Sequence, residues 1–303
     1  MASSHSSLTL RKCIANTTAI KDTTKTAYIS DLNKIIRYTS ADLYDVIMNP
    51  DLYYSKIAEQ TRARSTTRTL IKSLLACLKH SGIKSENKDA FDKWYKIFNS
   101  LTKEVEDSED NNVTKKNSMS WSTILKKYEF IKTKSYASLD HVTLAMYTLL
   151  PPRRQNDYWK LLVEPDDSKD STGYLDLSAD KPYICVTEYK TASVFKEWKK
   201  DLPEELVQIL KKYLKDRSSD YLFCKQDGNP YTSLYSFTSA NNQIIKRVLG
   251  SANVSVNTLR HSAASFVNMN PTMLRKDKKQ YAYDMGHSFY MQGLYVEVDS
   301  IQK

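Results

Sequence analysis

The chain has 303 residues, and at about 150 residues per domain this length predicts two domains, each with a core of its own. Its formal net charge of +10 favours a polyanionic partner such as DNA, RNA or an anionic membrane. The hydrophobic content of 41% and the aromatic content of 11% argue against disorder as the general state of the chain.

Several classes of protein are excluded by residues that the chain lacks or scatters. Its six glycines cannot form a dinucleotide-binding fingerprint or a P-loop. The four cysteines include no C-x-x-C pair and the five histidines form no ligand pair at helical spacing, which argues against structural zinc. The sequence shows no apolar leader or membrane span, and it predicts an intracellular protein with reduced thiols and no membrane partner.

The first part of the chain is predicted to be helical. Residues 1–21 are rich in Ser, Thr, Lys and Arg without a sustained period, which indicates a flexible basic arm. From Asp22 onward apolar residues recur at helical spacing, so residues 22–105 are predicted to form a small helical domain. Its basic side chains and the net charge of +10 favour DNA as the partner of this domain. The basic side chains that we expect to contact DNA are Arg62, Arg64, Arg68 and Lys72.

A polar stretch divides this domain from the rest of the chain. Residues 106–120 mix charged residues with Asn and Ser and lack apolar periodicity, as is typical of an exposed linker. Helical spacing resumes at Trp121 and stops at the Pro151–Pro152 pair. We therefore expect residues 121–303 to form the second domain.

Strand-like alternation follows within the second domain. It occurs over Tyr174–Leu177 and Tyr183–Thr187, and Val194–Trp198 could return antiparallel, with Lys190 near the turn of the resulting hairpin. After Pro203 the pattern is again mostly helical. The predicted fold is mostly α with a small antiparallel β-sheet, an α+β arrangement.

Four short segments of the second domain carry the residues suited to chemistry. They are LLPPRRQND at 149–157, EYKTA at 188–192, VNTLRHSA at 256–263 and MGHSFYMQGLY at 285–295. In this order they resemble the catalytic domain of the tyrosine recombinases, the phage-integrase-like family. The resemblance spans residues 121–303, with a weaker topological match of the helical first domain to the family's core-binding domain.

The first two segments match the family residue by residue. The family's first arginine is followed three residues later by Glu or Asp, which selects Arg154 with Asp157 and leaves Arg153 as the alternative. The family's lysine lies on a β-hairpin turn, usually before Thr, and this matches Lys190.

The third segment departs from the family at one position. The family's second box reads His-x-x-Arg-His, so Arg260 and His261 match, and Asn257 replaces the leading histidine. This replacement puts the proton-transfer role of position 257 in doubt.

The last segment supplies a histidine and a tyrosine. The resemblance assigns His287 to the third box, and the nucleophile eight residues later to Tyr295, about one residue short of the commoner spacing. Tyr290 is the second choice.

The resemblance implies a site-specific recombinase or integrase that cuts and rejoins DNA through a covalent 3′-phosphotyrosine. Arg154 and Arg260 would stabilise charge on the phosphate, Lys190 would protonate the departing 5′ oxygen and His287 would donate a hydrogen bond. This chemistry needs no metal or nucleotide cofactor. The implied partners are double-stranded DNA and other protomers assembled on that DNA.

Two other functions remain open at this stage. A type IB topoisomerase uses a related constellation, and a catalytically weakened DNA-binding relative would be consistent with Asn257. The residue sequences of the PPRR, NTLRHS and MGHS segments resemble those of integrases of large eukaryotic DNA viruses, virophages and related mobile elements. We expect the protein wherever its target DNA is, in a host nucleus or viral factory if it is viral.

Overall fold

A computed structural model describes residues 7–112 and 119–293 of the chain. The chain divides into two compact units, Met1–Val113 and Thr114–Lys303. The division falls inside the stretch 106–120, which the sequence predicts to be a linker.

The described part of the first unit is helical throughout. Its helices are α1 (Ser7–Asn16), α2 (Asp22–Thr39), α3 (Leu43–Met48), α4 (Pro50–Glu59), α5 (Arg64–His80), α6 (Ile83–Glu86) and α7 (Lys88–Asn112). The apolar stripe of α5, which includes Leu70, Leu74 and Cys77, is buried against α2 and α7. Trp94 of α7 is also fully buried, and its indole Nε1 donates to the Ile47 carbonyl at 2.9 Å. This pairing satisfies the one polar atom of the largest core side chain.

The predicted flexible arm is wrong over residues 7–16, which form α1. Leu10 and Ile14 lie four residues apart, on one face of the helix, and both are fully buried. Ser7 fixes the start of the helix, because its Oγ donates to Asp42 Oδ2 at 2.6 Å and accepts from the Leu43 amide at 2.7 Å. The polar residues around Leu10 and Ile14 hide this short apolar face in the sequence. Residues 1–6 lie outside the described part.

The first residues of the predicted linker belong to a helix. Helix α7 continues to Asn112, through the first part of the stretch 106–120. Acidic and polar residues can extend a helix without burying a face, so the loss of apolar periodicity after Val105 marks the end of the packed face. The helix itself does not end there.

The second unit combines helices with a small sheet. Its elements are α8 (Trp121–Lys134), α9 (Leu139–Thr148), a 3-10 turn (Gln155–Tyr158), β1 (Leu161–Leu162), β2 (Gly173–Asp176), β3 (Tyr183–Val186), α10 (Ala192–Phe195), β4 (Trp198–Asp201), α11 (Glu204–Leu214), α12 (Leu234–Leu249), α13 (Val256–Met269), α14 (Arg275–Asp284) and α15 (Phe289–Gly293). The core of this unit includes Leu144, Tyr147, Ile184, Trp198, Leu210 and Leu259.

The predicted fold class is confirmed, with one difference in the sheet. The strand order is β1-β2-β3-β4, and the β2–β3 and β3–β4 pairs are antiparallel. The two-residue strand β1 pairs with β2 in parallel, so the sheet is mixed. A two-residue strand carries no alternation, and the sequence pattern therefore gives no sign of it.

The hairpin predicted around Lys190 exists with a longer connection. Strand β4 begins at Trp198, opposite Val186 of β3, and the short helix α10 occupies residues 192–195 where the sequence predicts the returning strand. Lys190 lies in the connection between β3 and β4.

Among the described residues no helix is both long and apolar enough to span a bilayer.

Candidate active site

The site is built around the turn that ends α14. Met285 caps the helix, and Gly286 follows with φ of +72°. The Gly286 amide donates to the Tyr283 carbonyl at 2.8 Å, and the His287 amide donates to the Ala282 carbonyl at 3.2 Å. These two bonds form a Schellman turn, in which glycine is favoured at the left-handed position. The turn delivers His287 into a buried position directly after the helix.

Three arginines converge on three consecutive carbonyls of this turn. Arg153 Nη1 donates to the Asp284 carbonyl at 2.8 Å, and Arg260 Nη1 donates to the Met285 carbonyl at 3.0 Å. Arg154 Nη1 donates to the Gly286 carbonyl at 2.7 Å. The last carbonyls of a helix lack intrahelical partners and carry partial negative charge, so guanidinium groups satisfy them well.

Arg153 is a core residue. Its side chain is fully buried, and Nε donates to Asp157 Oδ2 at 2.8 Å, so that the pair is closed to solvent. The guanidinium carbon lies 4.3 Å from the ring centre of Trp198 and 4.6 Å from that of Tyr189. These two rings and the Asp157 carboxylate leave the guanidinium enclosed by protein.

Arg154 and Arg260 differ from Arg153 in their surroundings. Arg154 is only half-buried, although it adjoins Arg153 in the chain. Arg260, on α13, is 3% exposed, and its Nη1 also donates to the Pro152 carbonyl at 2.8 Å. That bond joins α13 to the backbone just before Arg153. The predicted pair Arg154 and Arg260 therefore lies at one turn, and Arg154 is its more accessible member.

The electrostatics of the cluster follow from its crowded positive charges. Burial lowers the pKa of His287 to about 3, and Arg260 and then Arg154 add to the shift. Burial and Arg260 likewise lower the pKa of His261 to about 4. Both imidazoles are therefore neutral near pH 7, and a neutral imidazole still donates one hydrogen bond.

Asp157 pairs with an arginine of the cluster, and its pKa is also shifted. Burial raises the pKa of Asp157, while the positive charges of Arg153, Arg154 and Arg260 oppose the rise. We take the carboxylate as ionised, because its bond to the Arg153 guanidinium is short and shielded from solvent.

Lys190 and Asn257 lie at exposed positions. Next to Lys190, the Thr191 hydroxyl donates to the Gly286 carbonyl at 3.4 Å, the same oxygen that accepts from Arg154. The lysine-bearing connection is thus attached to the turn. Asn257 lies in the first turn of α13, three residues before Arg260 and therefore on a neighbouring part of the same helix face.

The predicted nucleophile, Tyr295, lies outside the described residues. The described part ends at Gly293 in α15. Tyr290, the second choice, belongs to α15 and is 75% exposed. The assignment of Tyr295 stays a prediction.

The predicted DNA contacts belong to the first unit. Arg64, Arg68 and Lys72 recur every fourth residue along α5, so they form one stripe, and Arg62 precedes the helix. All but the half-buried Arg68 are exposed. Arg64 Nε lies 3.5 Å from Glu104 Oε2, a surface pair that leaves most of the stripe's charge available.

Sequence reasoning missed the groups that hold the site together. Asp284 and Trp198 are buried polar and aromatic residues whose contact, Trp198 Nε1 to Asp284 Oδ1 at 3.1 Å, joins distant parts of the chain. No local sequence pattern predicts such a contact.

Across residues 7–112 and 119–293, no group of three His, Cys, Asp or Glu side chains could hold a metal ion.

Comparison with known proteins gives the fold. No protein-family model and no curated protein gives a significant match to the chain. Among solved structures, the Tn1549 transposon integrase in complex with transposon right end DNA is 18% identical, with a TM-score of 0.63 over 98% of this chain and 97% of that chain. The same integrase with circular intermediate DNA gives 18% identity and a TM-score of 0.61 over 97% of this chain and 95% of that chain.

A recombinase is also similar at a lower score. The XerA recombinase is 15% identical, with a TM-score of 0.42 over 96% of this chain and 93% of that chain. We base the fold on the integrase, which matches both units over nearly their full length. The chain therefore shares the fold of the Tn1549 transposon integrase, with a helical unit followed by a unit of helices and a small sheet.

Proposed function

We propose that this chain is a site-specific DNA recombinase or integrase that breaks and rejoins DNA strands. The observation that carries the proposal is the convergence of Arg154, Arg260 and His287 on the turn after α14. Phosphodiester transfer accumulates negative charge on the non-bridging oxygens of phosphorus. Guanidinium groups keep their positive charge at any working pH and donate two hydrogen bonds in a fixed geometry, which suits them to that charge.

The proposed cleavage step exchanges one phosphate ester for another. The phenolic oxygen of Tyr295 loses its proton to water or to the phosphate and forms a bond to phosphorus, and the bond from phosphorus to the 5′ oxygen breaks. The products are a 3′-phosphotyrosine and a free 5′ hydroxyl, whose proton Lys190 supplies. Rejoining runs the same step backwards with a 5′ hydroxyl from a new partner strand.

Removal of the phenolic proton is the weakest part of this constellation. An amide is not a base, so Asn257 cannot accept the proton in place of the family's histidine. His261 lies one turn further along α13, and its pKa of about 4 makes it a weak base. We therefore expect cleavage to accelerate as pH rises, and we expect Asn257→His to speed it at neutral pH.

The proposed partner is double-stranded DNA, on which several protomers assemble. Support comes from the net charge of +10, from the basic stripe on α5 and from the shared fold with an integrase solved in complex with transposon DNA. The resemblance to integrases of large eukaryotic DNA viruses, virophages and allied mobile elements stays a prediction from three short segments.

One experiment separates the proposal from its two alternatives. The full chain is incubated with a supercoiled plasmid, and separately with two labelled duplexes that share a candidate target site. A recombinase exchanges strands between the duplexes, whereas a type IB topoisomerase relaxes the plasmid without exchange. DNA binding with neither reaction would identify a non-catalytic relative, the alternative with which Asn257 is consistent.

A further inference from the structure

Asp284 makes more polar contacts than any role in ending α14 requires. Its carboxylate is almost fully buried and accepts from Trp198 Nε1 at 3.1 Å and from Lys200 Nζ at 2.9 Å, both on β4. Gln280 Nε2 donates to the same carboxylate at 3.0 Å. Its main-chain carbonyl accepts from Arg153. One residue thus connects the end of α14 to the sheet and to an arginine of the cluster.

The position of this carboxylate is unfavourable by local rules. Aspartate is a poor helix former, and a negative charge at the C-terminal end of a helix opposes the helix dipole. Here the neighbouring carbonyls of Met285 and Gly286 add further negative partial charge. A residue that is unfavourable by local propensity tends to occur where function or long-range contacts determine which residue is present. The compensation comes from Lys200 and from the guanidinium groups on those carbonyls.

The contacts of the turn indicate what the carboxylate achieves. Asp284, Met285 and Gly286 supply the three carbonyls that accept from the three arginines, so the height and rotation of this turn fix where the guanidinium groups lie. The turn itself is fixed to β4 through the Asp284 carboxylate. Thr191, from the connection that precedes β4, also donates to the Gly286 carbonyl.

We infer that Asp284 is a positioning residue, which holds the Asp284–Gly286 turn against β4 so that Arg154 and Arg260 are aligned on the phosphate. This inference rests on the proposed function. Alignment matters because a displacement of about 1 Å in a catalytic group can reduce a rate by about a hundredfold. Lys200 is the partner through which the carboxylate acts.

The test uses single-turnover cleavage of a duplex by the full chain at saturating DNA. Asp284→Asn keeps an acceptor for Trp198 and removes the charge that Lys200 needs. We expect roughly ten- to a hundredfold slower cleavage with a change in DNA affinity of less than about twofold. Lys200→Met should have the same effect, and the double variant should be no slower than the slower single variant, because both substitutions break one interaction.

Two further measurements exclude a general structural effect. Asp201→Asn, on the same strand at an exposed position, is the matched control and should leave the rate within about twofold of the unsubstituted chain. A duplex with sulfur in place of the bridging 5′ oxygen releases a thiolate, which needs no proton. It should rescue Lys190→Ala but not Asp284→Asn, because Asp284 acts through the arginines.

The outcomes separate the inference from the proposed function. Lys200 is 38% exposed, so Lys200→Met carries the test if Asp284→Asn does not fold. Cleavage at the unsubstituted rate in the folded variants, rescue of either variant by the sulfur duplex, or losses that add in the double variant would each overturn the positioning role. If the unsubstituted chain forms no covalent DNA adduct, the proposed function fails and the inference fails with it.

Discussion

Arg153 and Asp157 form a fully buried ion pair, with Arg153 Nε 2.8 Å from Asp157 Oδ2. The family spacing singles out Arg154 and Asp157, three residues apart, but the carboxylate bonds the arginine four residues before it. Arg153 is therefore committed to the core, while Arg154 stays half-buried at the Gly286 carbonyl. Neighbouring arginines thus have different surroundings, and we expect different consequences when each is removed.

Removal of Arg153 should mainly reduce stability. Arg153→Ala leaves Asp157 as an unpaired buried carboxylate, and the expected loss in the free energy of unfolding is about 3–5 kcal/mol. Arg154→Ala should cost less than about 1 kcal/mol, because its side chain is partly solvated. Urea unfolding of the two variants measures the difference, and equal losses would contradict the buried role of Arg153.

Removal of Arg154 should mainly reduce cleavage. Arg154→Ala is expected to raise the activation free energy of cleavage by about 3–4 kcal/mol or more, while DNA binding is retained. Arg260→Ala should slow cleavage by a similar factor, and because Arg260 is buried and bonded to two carbonyls it should also reduce stability. The measurement is adduct formation at saturating DNA. A dispensable Arg154 beside an Arg153 that is essential even in folded protein would show that the other arginine binds the phosphate.

Gly286 should be required for the geometry of the arginines as well as for the turn. A β-carbon there would lie 3.3 Å from a guanidinium nitrogen of Arg153 and 3.3 Å from one of Arg154. Gly286→Ala should therefore displace both groups by a few tenths of an ångström and slow cleavage. Its φ of +72° adds about 1–2 kcal/mol of backbone strain.

The matched control for this glycine lies in the same unit. Gly228 has φ of +80°, and a β-carbon there would meet no heavy atom within 4 Å. Gly228→Ala should show a similar loss of stability from backbone strain while cleavage continues at the unsubstituted rate. Equal cleavage by the two variants, compared by thermal unfolding and adduct formation, would rule out a role for the Gly286 contacts.

The sequence is informative where a periodic pattern and a local motif coincide. The stripe of Leu70, Leu74 and Cys77 predicts a buried face of α5, and the MGHS segment places His287 beside the arginine boxes. The buried face of α5 and the position of His287 are determined by residues that are close in sequence, within one helix or one turn.

The remaining features depend on contacts between distant segments. The Asp284 carboxylate bonds Lys200, and Asp157 bonds Arg153 in place of the arginine three residues before it. Side-chain direction decides such pairings, and spacing alone does not reveal direction. The helix α1 was missed for a related reason, because two buried residues, Leu10 and Ile14, are too few to stand out as a period.

His287 should make the protein less stable in acid. Its pKa is lowered from 6.5 to about 3 in the folded chain, so between these values the unfolded chain binds a proton that the folded chain does not. The free energy of unfolding therefore falls as pH falls below about 6.5. His287→Gln should reduce the difference in stability between about pH 7 and about pH 4.5. Urea unfolding at both pH values tests this, and an unchanged difference would contradict a buried neutral imidazole.

The basic stripe on α5 should bind phosphates and respond to salt. Each of Arg64→Ala, Arg68→Ala and Lys72→Ala is expected to weaken DNA binding for all sequences and to reduce the slope of log K against log salt by about 0.9 per lost contact. Lys96→Ala, an exposed position on α7, is the control of equal charge. Titration of labelled duplex at several salt concentrations gives the slopes. If all three variants kept the slope of the unsubstituted chain, DNA would not bind at this stripe.

The proposed reaction passes through a covalent intermediate between DNA and Tyr295. The full chain is incubated with a nicked suicide duplex, which traps the cleaved strand because the short fragment diffuses away. The adduct is then digested and the modified peptide is located by mass spectrometry. We predict that DNA is attached through its 3′ phosphate to Tyr295 and that Tyr295→Phe binds DNA but forms no adduct. An adduct that persists in Tyr295→Phe, or one that only Tyr290→Phe removes, would contradict the account.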